Sequence, residues 1–267
     1  MQRHVVLSCT DNPLYSFYLP IIVKAWRLFG FEPVICLPHE TRLNKSPELE
    51  QALHYTGDFI PVYIKSNTEQ QVTYIQCSRL FVAAEIGYDD DVLITSDVDM
   101  LPLNGDYFTH ELGGFHVFGS DLVQDNQYPI CYLSATAAQW RESFQMDTQH
   151  TATDYINREI GHVKCDDMRG NYWFRDQETA RKYIGENITS FARKLPTGKA
   201  RGRLDRDQLH LFVSGVIDCH LPRPGYEDQN YSAIKKLLNK AFPGEFAWLD
   251  EYHKAFTTLY TADQIKS

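Results

Sequence analysis

Between His4 and Thr95 the chain alternates short apolar runs with longer amphipathic stretches, and turn residues punctuate most of the junctions. The spacing predicts strands at His4–Cys9, Pro33–Leu37, Phe59–Ile64 and Val92–Thr95. Helices are expected between them, at Tyr15–Phe29, Glu48–Tyr55 and Thr68–Ile86, with Gly30 and Gly87 as stops. A helix between successive strands is the pattern of parallel crossovers. The expected fold is therefore α/β, a mostly parallel central sheet covered by helices on both faces. Ligands of such sheets bind beyond the carboxyl ends of the strands.

The second half is less regular. Strands are expected at Phe115–Phe118, Pro129–Leu133 and Leu209–Ile217, and helices at Ala135–Phe144 and within Tyr172–Tyr183. The stretch from Arg193 to Arg206 is basic and carries glycine, as a loop does. Two helices close the chain, Tyr231–Ala241 and Ala247–Tyr260. The second gathers Leu249, Tyr252, Phe256 and Leu259 on one face. Asp250 and Glu251 on that helix favour packing against a core over lying in a membrane surface. No repeat, linker or low-complexity tract interrupts the 267 residues, so one folded unit over 1–267 is expected.

Charge narrows the functional classes. The formal charge of -9 argues against general nucleic-acid binding, which needs a basic face. Six dispersed cysteines without a C-x-x-C pair read as reduced core residues. No apolar run is long enough to span a bilayer, and no secretory leader opens the sequence. The sequons at Asn44, Asn187 and Asn230 then carry no weight, and a soluble, intracellular protein is expected.

The sharpest chemical signal is Val92-Leu-Ile-Thr-Ser96-Asp97-Val98-Asp99-Met-Leu-Pro102. A buried strand ends in two carboxylates at spacing two, which in extended chain point the same way. Two like charges on one face repel unless something positive stands between them. A divalent ion is the usual solution, and hard oxygen ligands suit Mn2+ or Mg2+. A pair of solvated aspartates at a strand end is the plain alternative. Arg79 falls in a helical stripe with Val72, Ile75, Val82 and Ile86, and an inward arginine needs an anion such as Asp97, Asp99 or a bound diphosphate. Its alternative is snorkelling to solvent. The first strand ends in Thr10-Asp11-Asn12-Pro13-Leu14-Tyr15, where side-chain oxygens and an aromatic face suit a base and ribose; the same residues also make a capped helix start.

This order of motifs resembles the GT-A glycosyltransferases, in particular retaining family 8 and the short enzymes of large DNA viruses, over most of residues 4–225. The resemblance implies a GT-A (Rossmann-like) domain with a nucleotide-binding half at 1–104, a donor-sugar and acceptor half at 105–225 and C-terminal helices at 226–267. It implies that Asp11, Asn12 and Tyr15 hold uridine, with Thr10 beside them. Arg79 matches the arginine before the metal strand. Asp97 and Asp99 would bind manganese and the donor diphosphate, with Ser96 and Val98 between and beside them. Asp176-Gln177, in Trp173-Phe-Arg-Asp-Gln-Glu, matches an Asp-Gln pair next to the donor sugar. An inverting enzyme would need a carboxylate base at the acceptor hydroxyl, with Asp176 as the candidate and Asp154 behind it; a retaining one, towards which the family 8 likeness tilts, would use Asp176 to bind the sugar or shield positive charge. His220, in Asp218-Cys-His-Leu-Pro, would complete the metal shell. The usual Asn-Ser/Ala-Gly segment is replaced by Tyr132-Leu-Ser134-Ala135-Thr136, and the His-x-x-Gly-x-x-Lys-Pro ending is absent.

The expectation is transfer of a sugar from a UDP-sugar to a hydroxyl of a glycan or glycoconjugate, in the cytoplasm or, for a virus-encoded enzyme, in a host cell. Several residues keep a second reading. His210 rivals His220, Asp176 is placed to cap a helix, and His162-x-x-Cys165 has metal-like spacing without a second pair. Lys199, Arg201 and Arg203 are placed either to close over a diphosphate or to form a solvated loop. Trp140, Tyr172 and Trp173 suit sugar stacking, but such aromatics are more often core and do not discriminate. Three other functions stay open. A nucleotidyltransferase or a dehalogenase-type phosphatase would also use Asp97 and Asp99, and a carbohydrate-binding protein would use the fold without turnover.

Overall fold

The computed structural model describes residues 1–66, 71–109, 114–119, 126–161, 173–186, 188–191 and 202–266. Its first half runs β1 (Arg3–Ser8), α1 (Pro13–Ser16), α2 (Leu19–Leu28), β2 (Glu32–Pro38), α3 (Pro47–Thr56), β3 (Ile60–Ile64), α4 (Gln71–Ser78) and β4 (Val92–Thr95). The second half contributes β5 (Met100–Pro102), α5 (Gly105–Phe108), β6 (Phe115–Phe118), β7 (Leu133–Thr136), α6 (Ala137–Ser143) and α7 (Ala152–Ile160). It continues with α8 (Arg175–Ile184), β8 (Ile188–Phe191), β9 (Arg203–Leu204), β10 (Asp218–His220), α9 (Asp228–Ala241) and α10 (Leu249–Lys266).

Among the described residues a seven-stranded sheet has the order β3-β2-β1-β4-β7-β6-β8. Strands β3, β2, β1 and β4 are parallel, β7 runs against both β4 and β6, and β6 and β8 are parallel. The expected mixed α/β architecture, with its mostly parallel sheet between helices, is the one observed. Strand alternation divides the core cleanly. Val5, Leu7, Ile35, Leu37 and Ile94 join α2, α3, α9 and α10 on one face. Val6, Val34, Cys36 and Leu93 join α4, α6, α7 and α8 on the other. Both faces of each central strand are apolar because both are covered. Leu249, Tyr252 and Phe256 of α10 are buried in the first layer, so the closing helix packs against the core.

Several expected elements differ. The helix foreseen at Thr68–Ile86 is α4, ending at Ser78, followed by a 3-10 turn at Val82–Ala84; 67–70 lie outside the described residues. Ser78 Oγ donates to the Ile75 carbonyl at 2.7 Å, the kind of side-chain bond that competes with the helical ladder. The helix foreseen at Tyr15–Phe29 is split into α1 and α2, the second ending before Gly30 at φ +79°. Pro129–Leu133 is mostly a 3-10 turn leading into β7. Leu209–Ile217 is not a strand. It holds a 3-10 turn at Leu209–Leu211 and exposes Leu211 and Val213, and among the described residues its backbone-to-backbone bonds to neighbouring segments begin only at Ile217, immediately before β10.

A second sheet, β5-β10-β9, positions the site. Antiparallel pairing sets His220 opposite Met100 and Asp218 opposite Pro102. The Leu221 amide donates to the Asp99 carbonyl at 2.9 Å, continuing the pairing past the strand. Arg203 closes the sheet from β9: its Nη2 meets Asp218 Oδ2 at 2.6 Å and its Nε meets Oδ1 at 3.0 Å.

Candidate active site at the carboxyl ends of the parallel strands

A cavity of about 330 Å3 opens beyond β1 and β4. The end of β1 and the following turn contribute Thr10, Asn12 and Tyr15, while α4 and the residue after it contribute Gln76 and Arg79. Asp97, Val98 and Asp99 form one wall, and Trp173, Asp176, Gln177, His220 and Arg223 face them. Of the described residues expected at the site, only Asp11 and Ser96 are not on this lining. Asp11 is exposed. Ser96 is fully buried behind the wall, where its Oγ accepts from Trp26 Nε1 at 3.1 Å. Lys199 and Arg201 lie outside the described residues, as do His162, Cys165 and Tyr172.

Arg79 is the hub, and it is buried rather than snorkelling, at 4% exposure. Its Nη1 donates to Asp97 Oδ1 and, at 3.1 Å, to the Ser96 carbonyl; its Nη2 donates to Asp176 Oδ2 at 3.1 Å. One guanidinium thus ties the end of β4 to the first turn of α8. Asp176 is buried too, and its Oδ1 accepts from the Gln177 amide at 2.8 Å. Burial pushes the Asp176 carboxyl up to about 6, against the downward pull of Arg79. Asp176 lies inside α8, whose N-cap is Phe174, so it does not serve as the N-cap.

Asp99 is buried at 6% and gathers three partners on one oxygen. Oδ2 lies 3.0 Å from His220 Nε2, 3.4 Å from Arg206 Nη2 and 3.3 Å from Arg223 Nε. Arg206 Nη2 also stands 2.6 Å from His220 Nε2. Burial lowers the His220 pKa, but the hydrogen bond and charge of Asp99 outweigh it and leave it above the ordinary histidine value. Arg223 reaches across to Tyr15, donating to its hydroxyl with its guanidinium carbon 4.8 Å from the ring centroid. Asn12 caps α1 by accepting from the Leu14 amide at 3.0 Å.

Other candidates are resolved by position. His210 is exposed and off this cavity, in a separate groove against α9. Asp154 belongs to the capping box of α7 with Thr151. Arg203 is tied to Asp218 and is not poised over the cavity. Trp140 is core, whereas Trp173 lines the cavity. Sequence reasoning missed Arg206 and Arg223. Arg223 stands three residues after His220, a spacing that could have drawn attention to it; nothing near Arg206 pointed to Asp99.

The donor types suit a divalent ion, since two carboxylates and an imidazole are the ligands that Mn2+ or Mg2+ accepts. Asp99 and His220 already meet. Among the described residues, however, no three His, Cys, Asp or Glu side chains form a ready ligand group. Asp97 is turned to Arg79, and Asp99 is spanned by two further arginines. The chemistry of the set fits a metal, and its present pairing is with guanidinium groups.

No protein-family model matches the chain, and no curated protein matches it. Among solved structures it is similar to the galactosyltransferase LgtC in complex with donor and acceptor sugar analogs, at 12% identity and a TM-score of 0.48, over 92% of this chain and 98% of that one. It is similar to the apo form of the glycosyltransferase GlyE of Streptococcus pneumoniae TIGR4, at 13% identity and 0.49, over 97% and 64%. A Drosophila β1,4-galactosyltransferase 7 mutant in complex with manganese, UDP-Gal and xylobiose gives 14% and 0.34, over 67% and 75%. All three are glycosyltransferases. With every score under 0.5, these likenesses assign the chain to no family, and the functional reading rests on the cavity itself.

Proposed function

We propose that the chain transfers a glycosyl group from a nucleoside diphosphate sugar, a UDP-sugar, to a hydroxyl of a glycan or glycoconjugate acceptor. The observation that carries this reading is the convergence, in one cavity, of the β1 turn, the Asp97/Asp99 wall, His220 and the Arg79–Asp176 pair. Tyr15 offers an aromatic face for the base, and Thr10 and Asn12 line the adjoining wall. Asp97, Asp99 and His220 would hold Mn2+ or Mg2+, which when bound supplies Lewis-acid neutralisation of the departing diphosphate.

Asp176 has both oxygens engaged, one by Arg79 and one by the Gln177 amide. A carboxylate held in this way suits fixed charge better than proton abstraction. In this reading it stabilises positive charge developing on the donor sugar, and Gln177 orients the sugar hydroxyls. Arg79 keeps that carboxylate in place, and the buried walls limit water beside the reacting bond.

Calorimetry with UDP and a panel of UDP-sugars, with and without Mn2+, tests the reading on the wild type and on Asp97→Ala/Asp99→Ala. Micromolar, metal-dependent binding that the double variant loses is the expected result, and Mn2+-dependent donor hydrolysis separates an enzyme from a carbohydrate-binding protein. Absence of uridine-nucleotide binding under every condition sinks the proposal.

A further inference from the structure

The cavity carries its own cations. Three carboxylates, Asp97, Asp99 and Asp176, are matched by three guanidinium groups, Arg79, Arg223 and Arg206. A dication entering alone would leave a net double positive charge against partly buried walls, which is unfavourable. A diphosphate entering alone would leave the opposite imbalance. The two together, a dication and the doubly negative diphosphate of a nucleotide sugar, return the site to balance.

The contacts at Asp99 show where that exchange would occur. His220 Nε2 stands 3.0 Å from Asp99 Oδ2 and 2.6 Å from Arg206 Nη2. A protonated Nε2 serves the carboxylate but opposes the guanidinium donor, and a bare Nε2 does the reverse. One contact is therefore unsatisfied in either tautomer. Arg206 Nε is in addition buried without a hydrogen-bond partner among the described residues. Arg206 thus holds a place on Asp99 that it fits poorly, while Arg223 spans from the same oxygen to the Tyr15 ring.

From this arrangement, and resting on the donor reading above, we infer that Arg206 and Arg223 are exchangeable counter-ions of Asp99. They block the metal position in the nucleotide-free protein and move onto the diphosphate when metal and nucleotide enter as one unit. Metal and nucleotide then bind with positive coupling, and linkage makes the coupling the same in both directions. Typical couplings of this kind are about 5- to 150-fold.

The proposal predicts opposite responses to one perturbation. Mn2+ binding to the full chain is followed by the electron paramagnetic resonance signal of the free ion. Removing both arginines, in Arg206→Ala/Arg223→Ala, uncovers Asp99, so Mn2+ alone should bind about tenfold tighter than to the wild type. UDP in the presence of Mn2+ should bind about tenfold weaker or worse. The Arg206→Lys/Arg223→Lys variant keeps the charge and should hold Mn2+ weakly, which separates charge from packing damage. Arg206→Gln, at a half-exposed side chain, gives the same upward shift in smaller measure should the double variant fold poorly. Nucleotide-free Mn2+ affinity that is unchanged or lower without the arginines overturns the inference. That comparison involves no nucleotide, so it stands apart from the donor reading, which falls instead if UDP binds neither protein.

Discussion

Replacing Arg79 by Met tests whether one buried guanidinium holds the site together. The side chain is 4% exposed and lies 3.1 Å from Asp176 Oδ2, with Asp97 on its other arm. At an effective dielectric of about 20, two unit charges at that separation attract by about 5 kcal/mol. Removing one member of a buried pair costs about 3–5 kcal/mol, because the other stays buried and unpaired. Asp97 is partly exposed and regains solvent, so the cost falls mainly on Asp176, 4% exposed. For a chain of this size each kcal/mol moves the melting temperature by about 2–4 °C. The expected fall is therefore about 6–20 °C near pH 8.

The pH dependence fixes the cause. Burial already holds the Asp176 carboxyl up at about 6, and loss of Arg79 removes the pull that opposes it. The folded pKa of the variant then rises further above the unfolded value. Between the two values the folded state keeps a proton that the unfolded state releases, so stability grows as pH falls through that window. Urea denaturation of Arg79→Met at pH 8 and pH 5 should show a deficit that shrinks at the lower pH. Arg79→Met/Asp176→Asn should recover most of the loss at pH 8. A deficit equal at both pH values, or one that the second substitution does not relieve, refutes the assignment of Arg79 as the counter-charge of Asp176.

Three other outcomes are expected. Thr95→Val leaves the Ile130 carbonyl and the Leu133 amide, now bonded at 2.6 and 2.9 Å, without their shared hydroxyl in a fully buried position. A loss of about 1–3 kcal/mol in chemical denaturation should follow. Gly225→Ala would place a Cβ 2.4 Å from the Tyr18 ring, so Tyr18 must shift away from its bond to the Pro222 carbonyl. Overpacking of this kind costs about 1–3 kcal/mol and should lower the melting temperature, whereas an unchanged value would show that the loop yields freely. Tyr15→Ala removes the aromatic face of the cavity and the platform beneath Arg223. UDP affinity by calorimetry should drop about 5- to 150-fold, as loss of about 1–3 kcal/mol of base stacking requires, and undiminished affinity would place the base elsewhere.

How much of this was legible in one dimension depends on the range of the interaction. Strand and helix periods are local, and each central strand shows two apolar faces because both are covered. Hence β1 to β4 and their helices could be read from residue order. Asp97 and Asp99 were legible as two carboxylates just past a central strand, but they do not extend it: they lie in the turn between β4 and β5, where the Met100 amide donates to the Asp97 carbonyl at 3.2 Å, and they take different partners. The early end of α4 escaped that reading, because the Ser78 side-chain bond leaves no trace in hydrophobic spacing. The false strand at Leu209–Ile217 shows the converse limit, since apolar alternation marks a strand only where a partner edge is available.

The site was completed by tertiary structure alone. His220 lies 121 residues from Asp99 and meets it through the antiparallel register of β5 and β10, while Arg206, 107 residues away, follows β9, which pairs with β10. Arg79 and Asp176 are 97 residues apart and share a buried salt bridge between the end of α4 and the first turn of α8. Sequence spacing carries no information about such pairs, because the hydrogen-bonded register of the small sheet and the packing of those two segments decide which charges face each other. Residue order specifies a parallel α/β framework with two carboxylates just past a central strand. Folding decided that three arginines and a histidine surround them, and with that the charge of the cavity.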